Sequence, residues 1–249
     1  MIAVNDLAYA YDDGPTVISG VDLTIDGGET VAVMGPNGAG KTTLLKLLAD
    51  LHEPDAGSVE VRGETGFAPE DPDDALFAET VREEVAFFPR NRGLDVEERV
   101  STALETMGVG HLRDRLPQTL SLGEKRRVSL AAVLAGDPAV VALDEPTSGL
   151  DVPHRESLGE RLGALDRTVV VATHDTDFAL RWTDRVAVLA NGAVAEDGAA
   201  DALLGDPTRD FAALGIRPPG SVEFARDRGW TDVPSSVADA VARLEGESE

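Results

Sequence analysis

The chain has 249 residues, 22 of them basic and 46 acidic, for a net charge of −24, with 42% apolar residues and no cysteine. This length allows one large domain or two small ones with a real core, and the lack of cysteine excludes disulfides and thiolate metal sites. The acidic balance argues against a nucleic-acid partner, which calls for a basic footprint.

Only Lys41, Lys46 and Lys125 are lysines. The acidic residues are spread along the whole chain, as expected of a solvated surface suited to high salt, where screening removes self-repulsion. A halophilic source is therefore expected. No apolar run approaches the length of a membrane span. The N-terminus opens on strand-like Ile2-Ala3-Val4 without a signal-peptide layout, which leads us to expect a cytosolic chain.

In chain order, antiparallel strands come first. Val21, Leu23 and Ile25 alternate with Asp22, Thr24 and Asp26, and Asp26-Gly27-Gly28 makes a turn. An apolar run, Val31-Ala32-Val33-Met34, leads into Gly35-Pro36-Asn37-Gly38-Ala39-Gly40-Lys41-Thr42-Thr43. A helix is expected from Lys41 to Leu51, with Leu44, Leu45, Leu48 and Leu51 on one face. Strand, glycine loop and helix together form a cradle for nucleotide phosphates. The glycines let backbone N–H groups converge on phosphate oxygens, and the helix dipole adds to the attraction. Lys41 supplies a point charge for the β- and γ-phosphates, and the Thr42 hydroxyl can ligate Mg²⁺. Only one such loop is present, so a two-site ATPase requires two chains.

Val59 and Val61 alternate with Ser58, Glu60 and Arg62 in a further half-buried strand. Residues from about 72 to 137 read as mostly helical with acidic linkers, an inserted helical lobe. Ala139-Val140-Val141-Ala142-Leu143 and Thr168-Val169-Val170-Val171-Ala172 are continuous apolar runs, expected of parallel strands covered on both faces. Asp144 and Glu145 close the first of these runs. There Asp144 can partner Mg²⁺ and Glu145 can serve as general base for an attacking water. Arg185-Val186-Ala187-Val188-Leu189 is a later strand, and Asn191-Gly192 signals a hairpin. Pro218-Pro219-Gly220 reads as a linker. Ser236 with Asp239 suggests a capping box ahead of Val237, Val241 and Leu244.

Leu120-Ser121-Leu122-Gly123-Glu124 precedes a helix and resembles the Leu-Ser-Gly-Gly-Gln signature of ATP-binding-cassette (ABC) ATPases. In that family the serine and glycine at the helix start cap the γ-phosphate held by the opposite protomer, so the resemblance implies roles for Ser121 and Gly123 at a partner's site. Other motifs follow in family order. Tyr11 resembles the aromatic that stacks on adenine. Ser148-Gly149-Leu150-Asp151 resembles the D-loop that couples two sites. His174 in Ala172-Thr173-His174-Asp175 resembles the switch histidine on the γ-phosphate. His52, His111 and His154 have no motif context and are expected at the surface.

The resemblance covers about residues 1–205. It implies an α/β P-loop NTPase core with an antiparallel β subdomain and a helical subdomain. On this reading, residues 1–215 form the nucleotide-binding domain and 216–249 a short helical extension. Phe67-Ala68-Pro69-Glu70-Asp71-Pro72-Asp73-Asp74-Ala75-Leu76-Phe77 is similar to a stretch of the energy-coupling-factor (ECF) and cobalt/nickel importer ATPases, as is Thr80-Val81-Arg82-Glu83-Glu84 with its continuation. Membership there implies ATP and Mg²⁺ as cofactors and a second ATPase subunit, identical or paralogous. It also implies integral-membrane coupling and substrate-capture subunits, and a place at the cytoplasmic face of the membrane. Three positions depart from the pattern. Glu70 stands where the family has its Q-loop glutamine and is expected to fill that role as an oxygen ligand of Mg²⁺, and Leu122 and Glu124 replace a glycine and a glutamine of the signature. Two other classes remain open: a soluble ABC ATPase in repair, translation or cluster assembly, and a module that binds ATP without turnover.

Overall fold

The computed structural model describes residues 1–12, 14–234 and 237–246. In chain order the elements are β1 (Ile2–Ala10), β2 (Thr16–Ile25), β3 (Thr30–Met34), α1 (Lys41–Leu48), β4 (Ala56–Val61), β5 (Thr65–Ala68), α2 (Val81–Asn91), α3 (Val96–Thr106) and α4 (Leu122–Ala135). There follow β6 (Val140–Asp144), α5 (Val152–Gly163), β7 (Thr168–Ala172), α6 (Thr176–Trp182), β8 (Arg185–Ala190), β9 (Ala193–Ala199), α7 (Ala200–Leu204), α8 (Gly220–Arg228) and α9 (Val237–Gly246).

Two sheets form. A three-stranded antiparallel sheet has the order β2-β1-β4, and a six-stranded sheet has the order β5-β6-β7-β3-β8-β9. In the larger sheet β5, β6, β7, β3 and β8 run parallel, and β9 returns antiparallel to β8. The return is made at Asn191 and Gly192, with φ of 51° and 80°, as a hairpin of the I′ type requires.

Side-chain alternation explains the layers. Along β6, Val140 and Ala142 join a core shared with Ile2, Val4 and Leu7 of the small sheet and Leu44, Leu45 and Leu48 of α1. Val141 and Leu143 point the other way, into a core with Val85, Val100, Leu104 and Val128 of the helical region. Every residue of β6 and β7 is buried, as a parallel sheet covered on both faces demands. Truncating a fully buried leucine such as Leu44 to alanine is expected to cost about 2–5 kcal/mol. A third core gathers Ala32, Met34, Val186 and Val188 with Leu203 and Leu204, and α8 contributes Val222 to it.

The acidic composition serves the helices. Asp95, Asp151 and Asp175 are the N-caps of α3, α5 and α6, and each side chain accepts a first-turn N–H.

Two expectations need correction and one falls outside the description. Helix α1 stops at Leu48, because Asp50 takes a left-handed φ of 56°, and Leu51 is 55% exposed instead of extending the apolar face. The Pro218-Pro219-Gly220 stretch is in part a helix start. Pro219 is the N-cap of α8, and the Gly220 N–H is held by Asp177 at 2.9 Å. The capping box expected at Ser236 and Asp239 involves Ser236, which lies outside the described residues; Asp239 pairs with Arg243 at 3.0 Å.

Candidate functional site

Two glycines of the loop between β3 and α1 stand where an added Cβ would collide with its neighbours. A Cβ on Gly35, where φ is 139°, would lie 2.1 Å from the carbonyl oxygen of Leu189. One on Gly40, where φ is 99°, would lie 2.7 Å from Ile18 Cδ1. Gly40 is also the N-cap of α1 and provides no side-chain cap, so the first-turn N–H groups stay available to an anion. Pro36, Asn37 and Gly38 form the exposed crest, and Ala39 tucks inward with its N–H on the Pro36 carbonyl at 3.1 Å. Lys41 is 8% exposed, and its Nζ donates to the Gly35 and Pro36 carbonyls at 2.9 and 3.2 Å. Its charge therefore lies inside the curve of the loop.

The end of β6 meets this loop. Thr42 Oγ1 donates to Asp144 Oδ1 at 3.1 Å. Burial pushes the Asp144 carboxyl above its usual range, and the nearby Glu145 and Glu70 charges push it the same way, against the Thr42 hydrogen bond and Lys41. A buried, acid-crowded carboxylate touching a threonine hydroxyl fits a divalent cation, which would relieve the charge. Among the described residues no cluster of three or more His, Cys, Asp or Glu side chains forms a self-sufficient metal cage.

Glu145 takes a left-handed φ of 44°, and its N–H is held by the Ala172 carbonyl of β7 at 2.8 Å. Its carboxylate receives the Thr173 hydroxyl at 3.3 Å and lies 2.9 Å from His174 Nδ1. His174 is otherwise exposed, leaving Nε2 open to a ligand. Tyr11 is 40% exposed, and its hydroxyl lies 3.1 Å from Thr43 Oγ1, tying the end of β1 to α1. Glu70 is exposed beside this cluster, its charge acting on Asp144.

The structure thus brings Tyr11, the 35–43 loop, Glu70, Asp144, Glu145 and His174 together. Ser121, Gly123 and Asp151 are engaged elsewhere, at the starts of α4 and α5. Among the described residues no hydrogen bond joins Ser121 or Asp151 to the glycine loop. Ser121 caps α4 in a reciprocal box: its N–H and hydroxyl both donate to Glu124 Oε2, at 2.8 and 2.7 Å. Those bonds hold the Glu124 carboxyl below its usual range. Glutamate at this position is thus a helix-capping residue, and the Ser-x-x-Glu spacing was the signal for it. Leu122 covers the 148–151 turn of the same chain: a Cβ on Gly149 would lie 3.1 Å from Leu122 Cδ2. Asp151 bonds its own helix, through the His154 N–H at 3.0 Å and His154 Nδ1 at 2.5 Å.

Three features were missed in the sequence. His111 and His154 are exposed, but His52 is half-buried, stacked on Tyr9 at 5.2 Å and edge-on to Tyr11 at 5.3 Å. It therefore backs the exposed tyrosine instead of lying free at the surface. Buried Glu84 accepts the N–H groups of Phe77 and Ala78, both at 2.8 Å. It pins Phe77 outward beside Phe87 and Phe88 in an exposed aromatic row. Its place between Val81 and Val85, on the apolar face of α2, was the available signal. Arg126, buried on α4, donates to the main chain of both Glu70 and Glu145; nothing in local sequence announces that contact.

Comparison with known proteins agrees with this geometry. The profile of the ABC transporter family matches residues 18–148. The energy-coupling factor transporter ATP-binding protein EcfA of Methanothermobacter thermautotrophicus is 41% identical over 219 residues, covering 80% of this chain and 70% of that protein. The cobalt import ATP-binding protein CbiO of Rhodobacter capsulatus is 39% identical, covering 92% and 89%. Among solved structures, cbiO1 of Clostridium perfringens, part of the ABC transporter complex cbiONQ, superposes with a TM-score of 0.74 at 31% identity, covering 86% of this chain and 91% of that one. An ATP-binding cassette solved as a dimer in a post-hydrolysis state with ADP and Pi gives 0.73 at 26% identity, covering 80% and 99%. Among the described residues no helix is long and apolar enough to cross a membrane. The chain belongs to the ABC transporter ATP-binding proteins, ATPases coupled to transport, and resembles their ECF and cobalt-import branch.

Proposed function

We propose that this chain is the ATP-hydrolysing subunit of an ECF- or cobalt/nickel-type importer and powers uptake through separate membrane subunits. The observation that carries the reading is the chain of contacts Thr42–Asp144 and Glu145–His174 beside the Lys41 loop. Lys41 and the loop amides from Gly35 to Thr43 grip the phosphates, and Tyr11 stacks on the adenine. Thr42 and Asp144, with Glu70 nearby, would hold Mg²⁺, which supplies charge neutralisation at the β- and γ-phosphates. Glu145 accepts a proton from the water that attacks the γ-phosphorus, and ADP leaves. His174 has Nδ1 engaged by Glu145 and turns Nε2 toward the γ-phosphate. Ser121 and Gly123, with Asp151 alongside, complete the site of a second ATPase subunit. The dimeric cassette supports that arrangement.

The exposed Phe77–Phe87–Phe88 row supports contact with a membrane subunit at the cytoplasmic face, since apolar surface rimmed by charge marks an interaction site. Cobalt or nickel is the first choice of cargo, with the CbiO likeness supporting cobalt, and a vitamin is the second.

The test is turnover with Mg²⁺ and ATP. Glu145→Gln is expected to lower kcat by about 100-fold or more while keeping ATP binding; wild-type turnover in that variant contradicts the assignment. Co-purification of the wild-type chain with an integral-membrane subunit encoded beside it tests the transport role.

A further inference from the structure

Arg126 lies about one and a half turns into α4, counted from Ser121. Its side chain is buried, 7% exposed, yet among the described residues it makes no ion pair with a carboxylate. It is held instead by two main-chain oxygens. Nη1 donates to the Glu145 carbonyl at 3.0 Å and Nη2 to the Glu70 carbonyl at 3.2 Å, partners 19 and 56 residues away in sequence. Burial pulls the guanidinium pKa down and the charges of Glu70, Asp71 and Glu145 push it back; arginine stays protonated in such surroundings.

The Glu145 carbonyl is doubly used, by Arg126 and by the Ser148 N–H at 3.1 Å. Its left-handed backbone is a conformation that persists only where surroundings hold it. Of those holds, Arg126 alone comes from the helical region. Neighbouring Lys125 pairs with Asp73 at 2.6 Å, a second tie from α4 to the segment after Glu70. Arg126 also lines, with Glu70, Ser129 and Asp144, a cavity of about 10 Å³.

We propose that Arg126 is a positioning residue that makes the Glu70 segment, the Ser121 end of α4 and the Glu145 carboxylate move as one unit. The proposal rests on the reading of Glu145 as the base. A guanidinium is a planar fork, so it satisfies both carbonyls only in one relative placement. A displacement of α4 at Ser121, or of the segment at Glu70, is thereby delivered to Glu145. Arg126 bonds the main chain of Glu145 and Glu70, and it acts through the backbone that aims the carboxylate.

The experiment compares Arg126→Gln and Arg126→Lys in the full-length chain, measuring kcat, affinity for a fluorescent ATP analogue, and melting temperature. Gln loses the fork and the charge; kcat is expected to fall about 10- to 100-fold, the scale of a misplaced reacting group. Nucleotide affinity should stay within about 2-fold of wild type, since no phosphate contact is lost. Lys keeps a charge that reaches one carbonyl, and its kcat loss should be smaller, about 3- to 10-fold. Wild-type kcat in Gln, or parallel losses of kcat, affinity and melting temperature in both variants, overturns the proposal. If Gln does not fold, Lys decides alone: a kcat loss at unchanged affinity supports it, and wild-type kcat or a parallel loss overturns it. Failure of the wild-type chain to hydrolyse ATP, or full turnover by Glu145→Gln, would instead strike the reading of the site itself.

Discussion

The two polar ends of the molecule are organised in opposite ways. Where β6 meets α1, Lys41, Asp144 and Glu145 are 8%, 5% and 9% exposed, and Thr42 bonds Asp144 across 102 residues of sequence. Where α4 and α5 begin, Ser121 and Asp151 are exposed, and each is bonded to a residue three positions on. The first end is preorganised by burial, with acidic charge crowded around Asp144. The second is satisfied by its own helix caps and stands ready to meet another surface. On the function proposed above, the first end grips nucleotide and the second caps the site of a head-to-tail partner.

Several substitutions can break or sharpen that contrast. After loss of Glu145, an effect as large as that of Arg126→Gln is expected at Ser121. Ser121→Ala should lower ATP turnover about 10- to 100-fold with little change in nucleotide binding to the isolated chain. It should also cost about 1 kcal/mol of stability through the lost cap. Equal losses in binding and turnover would place Ser121 with the gripping face instead. Tyr11→Ala should raise the KM for ATP about 10-fold at near-constant kcat, the scale of one lost base stack; an unchanged KM removes Tyr11 from the adenine site.

Salt acts on the whole surface. With a net charge of −24, melting temperature is expected to climb by several degrees between dilute buffer and molar KCl as self-repulsion is screened. Full stability without salt would contradict the halophilic reading.

The smallest effect is a pH effect at α4. Glu124 is held below its usual pKa by Ser121, so its contribution is present above the ordinary glutamate value. That contribution is lost as pH falls through the lowered folded value. Acid should therefore loosen the start of α4, and Glu124→Gln should remove this pH dependence while keeping the fold. Amide exchange at residues 121–125 reports it; identical acid profiles in both proteins would contradict it.

What could be read from sequence follows from how local each determinant is. The glycine loop is visible because Gly35 and Gly40 combine positive φ with close approaches that only glycine permits. The β6 and β7 strands are visible because burial on both faces leaves an unbroken apolar run. Leu51 misled because helix periodicity carries no information about Asp50, whose left-handed turn ends α1. His52 misled because its neighbours are set by the meeting of β1 with the chain after α1. Arg126 was silent for the same reason: its two partners are fixed by tertiary packing.

The most direct test of the two-faced site is sedimentation of the Glu145→Gln chain in molar KCl, saturated with ATP and magnesium, alone and with a paralogous ATPase chain. The account predicts a dimer that dissociates when nucleotide is withdrawn. A monomer under every one of those conditions would contradict it.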